Sequence, residues 1–319
     1  DSFWYTFWKK EKETFITTKK KGFESIDFVI VSFYPFKETL RTNKDKKKII
    51  ENIDIGGPTM VRAAAKNFND VTVITNKDDY PDLIHELKKN NGKTSLKFRE
   101  KMASKAFGLT AFYDSIIANW FNKNLNIDFP NYKTLFGQKI LQLRYGENPH
   151  QKSSLYLSDP ESDNLNFVQL NGKELSHNNL NDIFASLDML LSKNKMPTTV
   201  IVKHANPSGV SCHKSPLKSF LNARASDPIS AFGGIVACNY KLNAQIALEV
   251  SKSFYEVILA KGFEKKALNI IKKKKNIRVI DISKFNYDSK TTLKSFDNSF
   301  LLQEKNKIVF NKKKTKICN

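Results

Sequence analysis

Short apolar runs rich in β-branched residues alternate along this chain with longer amphipathic stretches. The run Thr-Thr-Val-Ile-Val-Lys at Thr198–Lys203 predicts a buried strand, and so does Asp-Phe-Val-Ile-Val-Ser-Phe at Asp27–Phe33. The stretch Leu96–Phe121 has the length and the apolar spacing of a helix. Because alternating strands and helices are typical of α/β proteins, we predict an α/β fold.

The length of 319 residues, about twice that of a typical domain, predicts two domains. An Asn-rich stretch at 122–138 predicts a linker, and we place the domains at 1–125 and 126–319. The predicted helices are 59–67, 80–90, 96–121, 180–191, 216–225, 243–251 and 264–274. The predicted strands are 27–33, 71–75, 198–203, 233–238, 257–260 and 278–282, with further strands and turns in the last forty residues.

Composition excludes several classes of protein. Hydrophobic residues make up 40% of the chain, which excludes disorder over most of its length. No apolar run approaches the roughly 18 residues that span a bilayer. The three cysteines (Cys212, Cys238 and Cys318) lack the spacing of a disulfide framework or a thiolate zinc site. The histidines show no metal-ligand spacing, and the serine-hydrolase elbow Gly-x-Ser-x-Gly is absent. We expect no metal, no membrane partner, no signal peptide and a reducing, cytoplasmic location.

The net charge of +21 raises the question of nucleic-acid binding. Only six of the 53 basic residues are arginine, whereas proteins that read bases use the bidentate fork of arginine. Asn, Ile and Phe are abundant as well, and a bias toward A/T-rich codons explains the lysine excess better. We therefore expect no specific nucleic-acid partner, although steering of phosphorylated substrates stays possible.

Four segments concentrate polar and small residues. The first begins Asp54-Ile-Gly-Gly-Pro and continues into a predicted helix on which Arg62 and Lys66 share a face. A Gly-Gly turn before a helix lets backbone N–H groups approach an anion, although an ordinary loop with a solvated basic face has the same pattern. The second, Arg144–Gln151, reads Arg-Tyr-Gly-Glu-Asn-Pro-His-Gln. It fits either a cradle for a phosphorylated aromatic ligand or a surface loop.

The third segment, Lys203-His204-Ala-Asn-Pro, follows the predicted strand 198–203. It lies at the carboxyl end of that strand, where α/β folds place ligands. A neutral imidazole can act as a general base and an ammonium can stabilise an oxyanion. A lone histidine is more often structural, but the Lys-His-x-Asn-Pro arrangement favours a catalytic and a structural role about equally. The fourth segment, Ser226–Gly234, ends in two glycines that allow a ligand to approach the backbone.

Together these segments resemble the bifunctional purine-biosynthesis enzymes that combine AICAR transformylase with IMP cyclohydrolase. Leu170–Asn179 (Leu-Asn-Gly-Lys-Glu-Leu-Ser-His-Asn-Asn) and Phe254–Ala260 (Phe-Tyr-Glu-Val-Ile-Leu-Ala) follow that family in order. The resemblance extends over about residues 22–310. It implies a partial methylglyoxal-synthase-like layered domain, followed by a partial cytidine-deaminase-like transformylase domain.

The resemblance also implies the chemistry. The co-substrate 10-formyltetrahydrofolate formylates AICAR to FAICAR, and FAICAR closes to IMP with loss of water, without a metal. In the transfer, His204 would be the base for the amine and Lys203 would lie near the formyl oxygen. The ribotide would be bound by Arg144, Tyr145, Asn178, Gly233 and Glu256. The family is usually a homodimer with transformylase sites shared between subunits.

In the cyclohydrolase half, four residues fall on family positions. Lys66 would stabilise the oxyanion of ring closure, Asp54 would position the nucleotide, and Tyr34 and Gly56 would bind it. Two departures are Ser32, where bacterial members usually have Asn, and His177, where they usually have Tyr.

The family pattern also contains segments that should precede residue 1 and follow residue 319. We therefore expect this chain alone to lack cyclohydrolase activity. One alternative is a remnant that binds purine ribotides without turnover, and another is a basic nucleic-acid-binding protein. Residues 1–8 hold five aromatic residues, and we interpret them as out-of-frame coding sequence. One possible codon string, read from its second base, spells Ile-His-Phe-Gly-Ile-Leu-Phe, similar to a family segment. A divergent N-terminus that packs Trp4 and Trp8 is the alternative.

Overall fold

The computed structural model of the protein describes residues 25–190, 195–285 and 290–306. The aromatic N-terminus and its interpretation as out-of-frame sequence lie outside these residues. The chain divides into two compact units. The first contains the described residues up to Leu141 together with Leu155–Asp163, and the second contains Gln142–Ser154 together with the described residues from Asn164 onward. A functional domain boundary between residues 125 and 126 stays a prediction.

The elements of the described residues are as follows. The α-helices are α1 (Phe36–Thr42), α2 (Lys46–Glu51), α3 (Gly56–Lys66), α4 (Tyr80–Lys89), α5 (Leu96–Asn124), α6 (His177–Leu190), α7 (Pro216–Ser226), α8 (Ala244–Ser251) and α9 (Lys265–Lys272). The strands are β1 (Phe28–Ile30), β2 (Thr72–Ile74), β3 (Gln138–Leu143), β4 (Ser153–Leu157), β5 (Val168–Asn171), β6 (Thr198–Lys203), β7 (Asn206–Cys212), β8 (Ile235–Cys238), β9 (Val257–Ala260), β10 (Arg278–Asp281), β11 (Thr291–Phe296) and β12 (Ser299–Glu304). A 3-10 turn, Lys77–Asp79, precedes α4.

The first unit is built around a parallel pair of strands, β1 and β2, in which Val29 lies opposite Val73. Helices α3 and α5 pack against this pair through small and apolar side chains that are buried, such as Val61, Met102 and Ala106. Alanines at the helix contact allow close approach, since they add little bulk between the two backbones. A second cluster joins α1 to α5 through Phe36.

The second unit contains a six-stranded sheet in the order β5-β10-β9-β8-β6-β7. Strands β8, β9 and β10 are parallel, whereas β6 runs antiparallel to both of its neighbours and β5 runs antiparallel to β10. Successive side chains of β6 point to opposite faces: Ile201 belongs to the cluster formed with α7, α8 and α9, and Val200 and Val202 belong to the cluster formed with α6. Because helices cover both faces, the central strands are uninterrupted apolar runs. Each such side chain contributes about 1.5–3 kcal/mol on burial.

The predicted α/β fold is confirmed, and strands 198–203 and 257–260 are confirmed to the residue. The elements that the predicted helices and strands do not cover include α1, α2, β3, β4, β5 and β7. Strand β7 was not predicted because it begins with Asn206-Pro207, a pair that is typical of turns. The proline is accommodated because β7 is the edge strand and the register shifts between Ile201 and Val202, which marks a β-bulge.

The predicted linker at 122–138 is wrong at both ends. Helix α5 continues through Asn124, and Gln138 already belongs to β3. Between them, the side chain of Asn119 donates to Thr134, and Phe136 packs edge-on against Phe112. This segment therefore folds back against α5. Across the described residues, each helix is either too short or too polar to traverse a bilayer.

Candidate functional site

Lys203 and His204 lie where β6 ends and a two-residue turn begins. Lys203 pairs with Asn206 across the turn, and the turn residues His204 and Ala205 have φ angles of 53° and 57°. Positive φ at both central positions is the pattern of a type I′ hairpin turn, which usually takes Asn-Gly. An L-residue in the left-handed region costs about 1–2 kcal/mol, so neighbouring groups must stabilise this turn. The turn leaves His204 exposed.

The orientation of β6 decides which edge of the sheet carries this pair. Val202 of β6 lies opposite Ile235, the first residue of β8. Since β6 is antiparallel to β8, its carboxyl end lies beside the amino ends of the parallel strands. The expectation that Lys203 and His204 follow the usual rule for parallel sheets is therefore wrong, because these residues lie at the opposite edge.

The loop before β8 contacts Lys203 directly. Nζ of Lys203 donates to the carbonyl oxygen of Phe232 at 3.0 Å. Gly233 has a φ of +76°, a conformation that glycine adopts without strain, and its N–H donates to the carbonyl of Phe254. The rings of Phe232 and Phe254 lie 5.6 Å apart and are 59% and 46% exposed. The loop that contacts the lysine ammonium thus also carries an accessible aromatic surface.

The start of this loop is fixed by a carboxylate. Oδ1 of Asp227 accepts from the N–H of Ser230 at 2.9 Å. Hydrogen bonding from Ser230 favours the ionised form, so the pKa of the Asp227 carboxyl is lowered. The bond from Lys203 to Phe232 thus joins the third predicted segment to the fourth, and the Asp227–Ser230 bond holds the fourth in shape.

Helix α6 brings the remaining segments to the same edge. Near its amino terminus, Nδ2 of Asn178 donates to the carbonyl of Glu147 at 3.3 Å, which attaches the Arg144–Gln151 segment. One residue later, Nδ2 of Asn179 donates to Oε2 of Glu256 at 2.8 Å. Oε2 of Glu256 also lies 3.9 Å from a guanidinium nitrogen of Arg278. Two predicted site residues, Asn178 and Glu256, and the Arg144–Gln151 segment therefore meet around one helix end.

The Arg144–Gln151 segment is a tight loop. The N–H of Gly146 donates to the carbonyl of Gln151 at 2.7 Å, which closes the loop. The guanidinium carbon of Arg144 lies 5.7 Å from the centroid of the Tyr145 ring, within cation–π range. Arg144 is exposed and Tyr145 partly buried, so both can present polar groups to an anionic ligand.

In the first unit, Asp54 is surrounded by backbone donors. Its carboxylate accepts from the N–H of Tyr34 at 3.1 Å and from the N–H of Gly57 at 2.8 Å. Helix α3 begins at Gly56, three residues earlier than predicted, so the two glycines form its first turn. The sequence predicted that backbone N–H groups of the Gly-Gly turn could bind an anion. In the structure, the Gly57 N–H already donates to Asp54.

A buried tyrosine supports this arrangement. The hydroxyl of Tyr113 accepts from the N–H of Asp54 at 2.9 Å and donates to the carbonyl of Asn52 at 3.3 Å. Burial raises the pKa of the Tyr113 phenol, which keeps it a neutral donor and acceptor. The sequence analysis missed this residue, because it lies within α5, 59 residues from Asp54.

Lys66 is separated from these residues. It is the last residue of α3, ten residues after Gly56, which corresponds to about 15 Å along the helix axis. The structure thus brings Tyr34, Asp54 and Gly56 together and places Lys66 at the other end of the helix. Among the described residues, no group of three or more His, Cys, Asp or Glu is arranged to hold a metal ion.

Most of the chain matches a known family. The family model described as "AICARFT/IMPCHase bienzyme" matches residues 64–319. The chain belongs to this family. Its curated relatives in the AICARFT/IMPCHase family include the bifunctional purine biosynthesis protein PurH of Thermoanaerobacter sp. (strain X514). The two sequences are 43% identical over 301 residues, which cover 94% of this chain and 59% of the relative.

Two further AICARFT/IMPCHase relatives give the same result. PurH of Persephonella marina is 42% identical over 305 residues, covering 93% of this chain and 58% of that protein. PurH of Rhizobium johnstonii is 42% identical over 265 residues, covering 82% of this chain and 49% of that protein. The chain thus spans between about half and three fifths of the length of these relatives.

Sequence reasoning identified the four segments but missed several side chains that join them in this member of the family. Asn179, Asp182 and Arg278 all contact predicted site residues or their neighbours. Asn179 closes the segment Leu170–Asn179, and Asp182 lies three residues further along α6. Helical spacing places these two on one face, which is a signal that a sequence reader could use.

Proposed function

We propose that the protein containing this chain performs two consecutive reactions of purine synthesis: formyl transfer from 10-formyltetrahydrofolate to AICAR, and closure of FAICAR to IMP. Membership of the AICARFT/IMPCHase family and the names of the PurH relatives support this. The observation that carries the transfer reaction is that Lys203 bonds to the Phe232 loop while Asp182 of α6 bonds to the turn that carries His204.

In the transfer, the 5-amine of AICAR attacks the formyl carbon. His204 accepts the proton that the amine loses as the new C–N bond forms. The ammonium of Lys203 stabilises the negative charge that develops on the formyl oxygen. The bond from the formyl carbon to N10 of the folate then breaks, and N10 takes up a proton, which yields tetrahydrofolate and FAICAR.

The ribotide is oriented by the surrounding residues. Arg144 supplies a planar guanidinium suited to a phosphate, and Tyr145 lies beside it. Asn178, Gly233 and Glu256 line the position of the base, where the exposed rings of Phe232 and Phe254 provide an apolar face.

In ring closure, the carboxamide nitrogen of FAICAR attacks the formamide carbon and gives up one proton. The formamide C–O bond then breaks, and the oxygen leaves as water with that proton and the proton of the formamide nitrogen. Asp54, Tyr34 and Gly56 form the nucleotide-binding side of this second site, and Lys66 stabilises the developing oxyanion. A ligand that contacts both Asp54 and Lys66 of one chain must extend along α3, because the two residues lie at opposite ends of that helix.

The finer fold and the setting of the enzyme are proposals as well. The region 1–125 forms part of a methylglyoxal-synthase-like layered domain, and 126–319 forms part of a cytidine-deaminase-like transformylase domain. The protein is a cytoplasmic homodimer whose ligands are AICAR, FAICAR, IMP and the folate co-substrate. It needs no metal, membrane or specific nucleic acid.

The test is an assay of the intact protein with AICAR and 10-formyltetrahydrofolate, following FAICAR and IMP. His204→Ala should lower turnover by roughly two to four orders of magnitude with a much smaller change in AICAR affinity. His85→Ala, a change at an exposed histidine of α4, is the control and should leave turnover unchanged. Near-normal turnover of His204→Ala would show that the transfer centre lies elsewhere. Binding of AICAR without turnover by the unaltered protein would support the remnant alternative.

A further inference from the structure

The turn that carries His204 is built from residues that do not favour its conformation. His204 and Ala205 both have positive φ, and neither is glycine or asparagine. The turn therefore depends on bonds to its surroundings more than an Asn-Gly turn would. Nδ2 of Asn206 provides one such bond, to the carbonyl of His204 at 2.8 Å, but Asn206 belongs to the same hairpin and moves with it.

The second bond comes from a different element. Oδ1 of Asp182, on α6, accepts from the N–H of Ala205 at 2.7 Å. A carboxylate is a stronger acceptor for a backbone N–H than a neutral oxygen. Ile183 and Leu187 of the same helix pack in one buried cluster with Val200 and Val202 of β6. The carboxylate is thus fixed relative to the strand whose end it holds.

We propose that Asp182 is the positioning residue of His204. By bonding the Ala205 N–H it fixes the peptide that follows His204, keeps His204 in the left-handed region and so sets the direction in which the imidazole projects. This inference rests on the proposed role of His204 as the base in formyl transfer. Asp182 itself does not touch the reacting atoms.

Three variants of the intact protein test the proposal. Asp182→Ala removes the acceptor and should lower kcat of formyl transfer by roughly 10- to 100-fold, with KM for AICAR changing by less than about threefold. Asp182→Asn keeps an acceptor oxygen and should restore most of the lost turnover. Asp182→Ala combined with Ala205→Gly should recover at least about threefold over Asp182→Ala, because glycine adopts positive φ without strain. Asp188→Ala, also on α6 but half-exposed, is the matched control and should behave as the unaltered protein.

A structural readout separates this proposal from the proposed function. In Asp182→Ala, hydrogen exchange of the Ala205 amide should accelerate about tenfold or more, while the buried Val200 amide keeps its protection. Unchanged exchange and unchanged kcat would overturn the proposal. So would equal losses in Asp182→Asn and Asp182→Ala, since the acceptor oxygen would then not matter. If His204→Ala keeps full turnover, the function assigned to His204 fails, and the exchange of Ala205 alone decides whether Asp182 holds the turn.

Discussion

Nδ2 of Asn179 donates to Oε2 of Glu256 across 2.8 Å, joining the first turn of α6 to the residue that precedes β9. Oδ1 of Asn179 also accepts from the N–H of Ser176, so one amide both caps the helix and holds the carboxylate. Oε2 of Glu256 has a second partner, the guanidinium of Arg278, which lies at the start of β10. Three elements therefore converge on Glu256, and its orientation depends on all of them.

The Asn179–Glu256 bond should be visible as non-additivity in ligand binding. We expect Asn179→Ala and Glu256→Ala each to weaken AICAR binding by the intact protein, and the double variant to weaken it by less than the sum. The coupling free energy should be about 1 kcal/mol, as for other side chains in direct contact. Calorimetric titration of the four proteins measures it. Strict additivity would show that the bond does not affect the ligand.

Tyr113 should matter for both stability and ring closure. Tyr113→Phe removes the hydroxyl that serves Asp54 N–H and Asn52 C=O, and it should lower the free energy of unfolding by about 1–3 kcal/mol. Because the Asp54 loop loses its anchor, conversion of FAICAR to IMP should fall as well. Tyr132→Phe is the control, since Tyr132 is 91% exposed and should tolerate the change. Equal behaviour of the two variants would contradict the anchoring role.

The space around two glycines predicts opposite effects when each is replaced by alanine. A Cβ at Gly209 would clash with the carbonyl oxygen of Ala223, so Gly209→Ala should destabilise the protein by about 1–3 kcal/mol or more. Gly108 lies within α5 with nothing inside 4 Å of an added Cβ. Gly108→Ala should therefore stabilise the protein by about 0.5–1 kcal/mol. Urea unfolding of both variants measures these changes. Destabilisation by Gly108→Ala would contradict the prediction.

The buried thiol of Cys238 predicts a pH dependence of stability. Burial raises its pKa from the ordinary value of 9.0 to about 11. The folded state therefore binds this proton more tightly than the unfolded chain, so the contribution is complete below pH 9 and is lost as pH rises toward 11. Between pH 8 and 10.5 this thiol should lower the unfolding free energy of the unaltered protein by up to about 2 kcal/mol, and Cys238→Ala should lack that decrease.

The control for that experiment is Cys212→Ala, because Cys212 is exposed. Urea unfolding at a series of pH values from 8 to 10.5 gives the slopes of the three proteins. We expect the Cys212 variant to follow the unaltered protein. The same slope for the Cys238 variant would contradict a buried, protonated thiol.

Much of the fold was predictable because the central strands are buried on both faces. Thr198–Lys203 and Val257–Ala260 are continuous β-branched or apolar runs, and such runs are recognised from composition alone. Strands β3, β4 and β5 were missed, since nearly all of their side chains are exposed or only partly buried and leave no apolar pattern. A strand can therefore be predicted from sequence when its side chains are buried, because burial requires the apolar pattern.

The candidate site was predictable as a set of segments and not as a set of contacts. Lys203, His204 and Gly233 stand out because polar or small residues interrupt apolar runs. Asp182 and Tyr113 sit inside regular helices, where a polar residue is ordinary, and their partners are 23 and 59 residues away. Such relationships arise from how β6 and α5 pack, which local sequence does not encode. The antiparallel direction of β6 was missed for the same reason.

The turn between β6 and β7 also limits how this part of the gene can vary. Strands alternate their faces with a period of two, so inserting or deleting one residue in a two-residue connection would move Lys203 or its partner strand to the opposite face of the sheet. Substitutions at Ala205 that keep its N–H and tolerate a positive φ can be absorbed, whereas length changes cannot. Natural variants should therefore differ here in residue type while keeping the spacing from Val202 to Asn206 constant.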